Sequence, residues 1–212
     1  MTRTTGSDGE RTRAALNEAA LKLIARHGYE AVSMRQLAAE IGLQQAALYR
    51  YIPSKQDMLF ALLHEHMVAL LASCQEQVEA SPPRRLYSFI NHHVRFHLAR
   101  RDATHVSNME LRSLDADKRV VILDLRTRYE EKLRAILRDG VSSGAFDLGG
   151  LDGEVELTAR AIIQMLTGVV VWFRETDRLP VEAVSRIYSN MALRIVGAKT
   201  AIREETACIA TA

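Results

Sequence analysis

Only two cysteines occur in 212 residues, Cys74 and Cys208, and their spacing is unpaired. That is too little sulfur for a disulfide framework or a zinc knuckle, and it suits a reducing compartment. Proline and glycine are also scarce, with 4 and 11 residues, so little interrupts long helices. Nowhere do β-branched residues alternate with polar ones over a long stretch, so no sheet is expected. Net charge is nearly absent, at +2. Residues 1–60 carry 8 Lys+Arg against 6 Asp+Glu, and the remainder carries 20 of each. A nucleic-acid role would therefore have to rest on a motif rather than on bulk charge. The N-terminal MTRTTGSDGE lacks the apolar centre of a signal peptide. The most apolar run, 161–173, has 13 residues and includes Gln164, Thr167 and Gly168, too short to cross a bilayer. A cytoplasmic protein is the expectation.

What is present is an ordinary globular composition, 48% hydrophobic and 25% charged. After a polar arm over 1–9, Leu16, Ala19, Ala20, Leu23 and Ile24 repeat at helical spacing until His27-Gly28. Ser33-Met34-Arg35-Gln36 has the form of a capping box and opens a short helix ending at Gly42. A second short helix is expected from Gln44 to about Arg50 or Tyr51. Ser54-Lys55-Gln56-Asp57 repeats the capping pattern and opens a long helix that Ser81-Pro82-Pro83 closes. Five further helices are expected over about 84–100, 104–113, 117–142, 152–175 and 180–197, followed by a loose tail. The fold class is all-α, with about nine helices.

Two short helices joined by a tight turn over 33–51, with small Ala38 and Ala39 at the crossing, fit a helix-turn-helix. Its second helix enters the DNA major groove, about 12 Å wide. Leu48 and Ile52 would face inward, and Gln44, Gln45, Ala46, Tyr49 and Arg50 outward. Glutamine can pair with adenine, alanine can touch a thymine methyl, and Tyr and Arg can reach phosphate. Lys55 falls in the first turn of the next helix, whose free N–H groups suit a phosphate. Two packed helices without a DNA role would read much the same on spacing alone.

The run Ser33-Met34-Arg35-Gln36-Leu37-Ala38-Ala39-Glu40-Ile41-Gly42-Leu43, with Ala47-Leu48-Tyr49-Arg50-Tyr51-Ile52-Pro53-Ser54-Lys55 and Leu59 after it, resembles the TetR (tetracycline-repressor) family of regulators. The resemblance covers about 11–59. It implies backbone or base contacts from Ser33 and Arg35. It also implies a groove-facing surface at Gln44, Gln45, Ala46 and Tyr49, and a phosphate clamp at Lys55. Arg11 and Arg13 would reach the adjacent backbone. Gln44 departs from the usual Ser or Thr cap, and Ile52 replaces a usual Phe. The domain division implied is 1–53 for DNA binding, 54–197 for effector binding and dimerisation, and 198–212 as a flexible tail.

Ala161 to Phe173 is apolar nearly all round. A stripe of Val184, Ile187, Tyr188, Met191, Ile195 and Val196 follows. Excess apolar faces on two late helices suggest a dimer seam, and the resemblance implies a homodimer built there. Two recognition helices would then meet the half-sites of a palindromic operator, roughly 34–36 Å apart.

Six of seven histidines lie within 64–105. His93 and His97 stand four residues apart, a spacing that can chelate a metal. A polar pocket or solvated face is the commoner meaning, and no Cys or carboxylate partner is evident, so neither a metal nor a catalytic site is expected. The runs 92–114, Arg128-Tyr129 and 140–146 resemble the branch of the family linked to CoA-dependent lipid and steroid catabolism, which implies an acyl-CoA thioester as effector. Phe96, Met109, Tyr129, Met165 and Trp172 would wall an apolar tunnel, with His93 and His97 as polar lining. Arg112, or Arg95, Arg100 or Arg101, would meet phosphates. Plain core is the competing reading for each apolar residue, and a solvated face for each Arg. Asn108, Glu110 and Arg112 fall on one short helix, where bonding to each other or to backbone is expected. No resident cofactor is implied. Two rivals remain: a DNA-binding regulator controlled by a protein partner, and a helical-bundle enzyme built on a histidine-bound metal. Buried Cys74 is expected to be inert.

Overall fold

The computed structural model describes residues 5–75, 79–150, 154–174, 176 and 179–198, with side chains from Gly9 onward. The expected tail, 198–212, lies outside the described residues apart from Ala198. Every regular element among the described residues is helical. They are α1 (Thr5–His27), α2 (Met34–Glu40), α3 (Gln45–Leu48), α4 (Lys55–Ser73), α5 (Pro82–Ala99), α6 (Arg101–Met109), a 3-10 turn (Leu111–Ser113), α7 (Ala116–Ser142), α8 (Glu154–Thr167), α9 (Val169–Trp172) and α10 (Val181–Ile195). Only Gly168 separates α8 from α9, so the expected number of helices holds among the described residues. One expectation fails early: α1 begins at Thr5, so most of the polar arm is helix.

The chain divides into two packing units, Met1–Ser73 with Arg100–Arg126, and Cys74–Ala99 with Thr127–Ala212. They do not coincide with the expected 1–53 and 54–197, because α4 and α6 pack with α1. The core of the first unit includes Leu16, Ile24, Leu37, Leu48, Met58, Leu59 and Leu63, all essentially inaccessible. In the second unit α10 packs along α5, and Leu86, Ile90, Leu133 and Leu137 are fully buried. Each leucine or isoleucine so buried contributes about 1.5–3 kcal/mol.

Helix ends follow local chemistry. The Ser33 hydroxyl accepts the Gln36 N–H at 3.2 Å, and the Gln36 side chain accepts the Ser33 N–H at 2.8 Å. This completes the expected capping box, worth about 1 kcal/mol. At Ser54 the box is altered. Its hydroxyl accepts the Asp57 N–H at 3.0 Å but donates to the Asp57 carboxylate at 2.6 Å. Gly42 turns the chain between α2 and α3 at φ +69°, a region glycine enters without strain.

The stretch Glu154–Trp172 is 19 residues long and apolar enough to pass as a membrane span by length and composition, although only 28% of it is buried. The helix is thus longer than the apolar run within it. Core helices meet the same criterion, so one such helix is weak evidence for a membrane.

Candidate nucleic-acid interface

Within the first unit, α2 and α3 meet where the sequence expects a helix-turn-helix. Ala38 is buried at the crossing, whereas Ala39 is exposed and plays no part in it. The inner side of α3 is sealed by Leu48, and Ile52 follows into the core. The outer side presents Gln44, Gln45, Ala46, Tyr49 and Arg50 to solvent. Tyr49 keeps 45% of its surface exposed, and its hydroxyl accepts the Gln45 side-chain N–H at 3.4 Å. Ser33 and Arg35 are exposed at the start of α2. The Gln44 side chain makes no cap bond to α3, as the missing Ser or Thr leads one to expect, so its amide is unused by the helix.

Two basic residues are engaged inside the unit. Lys55 is half-buried. Its Nζ donates to the Glu30 carbonyl at 3.3 Å and stands 4.1 Å above the Tyr29 ring centre. The lysine is therefore held at the first turn of α4 rather than extended from it. Arg13, expected to reach the DNA backbone, donates instead to the Tyr51 carbonyl at 2.9 Å.

A set of bonds that the sequence reading missed surrounds Lys55. The Glu110 carboxylate accepts the Tyr29 N–H at 3.1 Å and the Ser113 hydroxyl at 2.8 Å. Gln56 donates to the Ser113 carbonyl at 2.7 Å and accepts the Asp115 N–H at 3.0 Å. Asp57 pairs with Lys118 at 3.2 Å. The hydrogen bonds from Ser54 and Lys118 hold the Asp57 carboxyl below its usual range. Burial raises the Tyr29 phenol above its ordinary value, helped by the charges of Glu30 and Asp115. The one early hint was the run around Glu110, which suggested local bonding but gave no partner 81 residues away.

The proposed effector residues separate into groups. In the second unit, His93, Phe96, His97 and Tyr129 are buried. His93 Nδ1 lies 3.1 Å from the Tyr129 hydroxyl, and His97 Nδ1 lies 2.8 Å from the His93 carbonyl. The two imidazoles stack with centres 3.9 Å apart, an arrangement for packing rather than convergent chelation. Among the described residues no three His, Cys, Asp or Glu side chains cluster for a metal. Burial, and the Cys74 thiol nearby, raise the Tyr129 phenol well above its ordinary value, so it remains a neutral donor or acceptor. Met165 is half-buried on α8.

Three residues do not join this cluster. Trp172 is 50% exposed, stacks on Tyr188 and donates to its hydroxyl at 3.2 Å. Its helix ends at Phe173, which takes the buried position instead. Met109, 51% exposed, and exposed Arg112 lie in the first unit, where α6 turns its apolar side inward through Val106. Of the arginines considered for phosphates, Arg95 pairs with Glu182 at 3.5 Å. A cavity of about 70 Å³ that the sequence did not suggest is lined by Arg85, Ser88, Phe89, His92, Lys132 and Ile136, among others. Phe89 also packs 5.1 Å from the Tyr129 ring, so it touches both the cavity and the buried cluster.

A short helix sealed on one side and polar on the other, held by a tight turn against α2, defines the helix-turn-helix of a DNA-binding regulator. Similarity to known proteins agrees. Residues 16–62 match the family described as bacterial regulatory proteins, tetR family, and residues 79–196 match the tetracyclin repressor-like C-terminal domain. The chain belongs to the TetR family of transcriptional regulators. It is 25% identical over 175 residues to the fatty acid metabolism regulator protein of Bacillus subtilis (strain 168), covering 79% of this chain and 87% of that protein. It is 27% identical over 193 residues to the transcriptional repressor KstR2 of Rhodococcus jostii (strain RHA1), covering 90% and 92%. The crystal structure of the TetR family regulator PfmR from Thermus thermophilus superposes with a TM-score of 0.76 at 34% identity, covering 84% and 97%. The families and relatives are regulators rather than enzymes, which leaves the metal-enzyme rival without support.

Proposed function

We propose that the protein binds a palindromic operator as a homodimer and releases it when a small-molecule effector occupies its larger part. In this reading residues 1–53 read DNA, and 54–197 dimerise and take the effector. The observation that carries it is the display of Gln44, Gln45, Ala46, Tyr49 and Arg50 opposite the sealed Leu48. Ser33 and Arg35 add backbone or base contacts, and Lys55 holds a phosphate. Repression is the proposed sense, in a cytoplasmic setting, following the relative named as a repressor.

Homodimerisation is supported by the exposed Leu157, Val171, Trp172, Ile187, Met191 and Ile195 on α8, α9 and α10. Soluble monomers seldom leave large contiguous apolar patches in water. The mechanism is linkage. Operator and effector favour different separations of the two recognition helices, so each weakens binding of the other.

An acyl-CoA thioester is the proposed effector class. The 92–114 resemblance supports it, as does the relative named for fatty acid metabolism. His93, Phe96, His97 and Tyr129 form the candidate wall. The neighbouring cavity of about 70 Å³ is below the roughly 150 Å³ that admits benzene, so Phe89 must move for an acyl chain to enter there. That small size also favours the rival reading, control by a protein partner.

A gel-shift of purified protein on the DNA upstream of its own gene, with a panel of acyl-CoA esters, tests the reading. A specific shift released by one ester is the expected result. A shift that no ester releases removes the effector class and favours the partner. Failure to select any specific DNA from a random pool removes the regulator itself.

A further inference from the structure

Lys55 offers its charge from a position it does not set alone. Both of its contacts are to residues 29 and 30, the Tyr29 ring and the Glu30 carbonyl. Those two residues follow Gly28, which leaves α1 at φ +80°. The turn directs the Tyr29 N–H away from the helix, and the Glu110 carboxylate receives it. The second carboxylate oxygen is fixed by Ser113, so Glu110 is held at both oxygens. The next two residues of α4, Gln56 and Asp57, are gripped from the same direction by Ser113, Asp115 and Lys118. Segment 110–118 therefore touches the first turn of α4 directly, and touches Lys55 through Tyr29.

We propose that Glu110 is a positioning residue for operator binding: it fixes the Tyr29 platform that aims Lys55 at a DNA phosphate. The proposal rests on the reading of Lys55 as a phosphate donor. A carboxylate itself repels DNA, so a direct contact does not explain its place beside this surface. Its value lies in geometry. A movement of about 1 Å at Glu110 would stretch its bond to the Tyr29 N–H beyond hydrogen-bond range and free the platform. A shift of segment 110–113 would thereby loosen the ring on which Lys55 rests.

The test is a double-mutant cycle on full-length protein, using a duplex selected from random DNA by the wild type, with affinity measured across salt concentrations. Lys55→Ala is expected to weaken binding about tenfold and to reduce the salt slope by about one. Glu110→Ala is expected to give a smaller loss of the same kind, with a matching fall in slope. Added to Lys55→Ala, it should change nothing further. Glu110→Gln, which keeps an acceptor for the Tyr29 N–H, should restore wild-type binding and guards against a variant that fails to fold. Unchanged affinity and slope in Lys55→Ala would remove the phosphate role, and the positioning role with it. A normal Lys55→Ala loss, but a Glu110→Ala penalty that persists undiminished beside it, would overturn positioning alone. So would full loss in Glu110→Gln with melting unchanged.

Discussion

The two packing units place their candidate site residues in opposite ways. In the first, the candidate DNA residues stand outside a sealed core, and only Lys55 is half-buried. In the second, His93 and His97 are drawn inside with Phe96 and Tyr129, where a polar atom left without a partner costs stability through lost solvation. An operator is a surface met from outside, so its readers must be exposed in the free protein. A small ligand is met by enclosure, and the residues proposed to line its site are buried. The difference means that substitutions on the first surface should change affinity, while those in the second cluster should first change stability.

The largest effect expected from that contrast is Leu133→Ala. The side chain is fully buried in the second unit, and its loss should cost about 2–5 kcal/mol in urea unfolding. A cost below about 1 kcal/mol would mean that this core is loosely packed. Next is Tyr49→Ala on the exposed side of α3. Operator binding should weaken about tenfold at constant salt, as for loss of one backbone contact, with an unchanged melting temperature. Retained affinity would remove Tyr49 from the interface.

Tyr129→Phe deletes the hydroxyl beside His93 without changing the ring. It should cost about 1 kcal/mol and leave operator affinity alone, so an altered affinity without effector would break the separation drawn above. Gln44→Ser supplies the missing cap of α3 and should stabilise by about 0.5 kcal/mol. If Gln44 reads a base, the selected operator sequence should change at one position per half-site, and an unchanged sequence would assign it no base.

The smallest effect concerns pH. Asp57 has a folded pKa below its unfolded one, so its contribution is present above the unfolded value, about 3.9, and is lost as pH falls through the lower folded value. Lys118→Met should therefore melt slightly below wild type at pH 7, with the difference shrinking as pH falls below about 3.9. A difference constant from pH 7 to pH 3 would show that lost packing, rather than the ion pair, is responsible.

How far these features were legible follows from their range along the chain. The capping box at Ser33, the turn at Gly42 and the inward Leu48 depend on neighbours within a few residues, and all are where the pattern predicts them. Most of the long helices shift by only a few residues, but α4 ends at Ser73, well before the Ser81-Pro82-Pro83 stop that the pattern predicts. Trp172 illustrates the opposite case. An aromatic residue in an apolar run reads as lining for a tunnel, but α9 turns it outward against Tyr188 while adjacent Phe173 goes inside. Met109 and Arg112 share the distinctive 108–114 run, yet they belong to the first unit rather than to the histidine cluster. Sequence proximity to His105 or His97 carried no information about that division.

By itself the sequence determined that this chain is helical, where most of its helices start and stop, and which residues form the outer side of α3, because helix periodicity and capping are local properties. Only the tertiary structure decided that Glu110 meets Tyr29 across 81 positions, that Lys55 rests on that ring, and that His93 stacks on His97 beside Tyr129. Those outcomes depend on how separate helices rotate and approach, and that is settled by the joint packing of side chains distant in the chain rather than by any one segment's pattern.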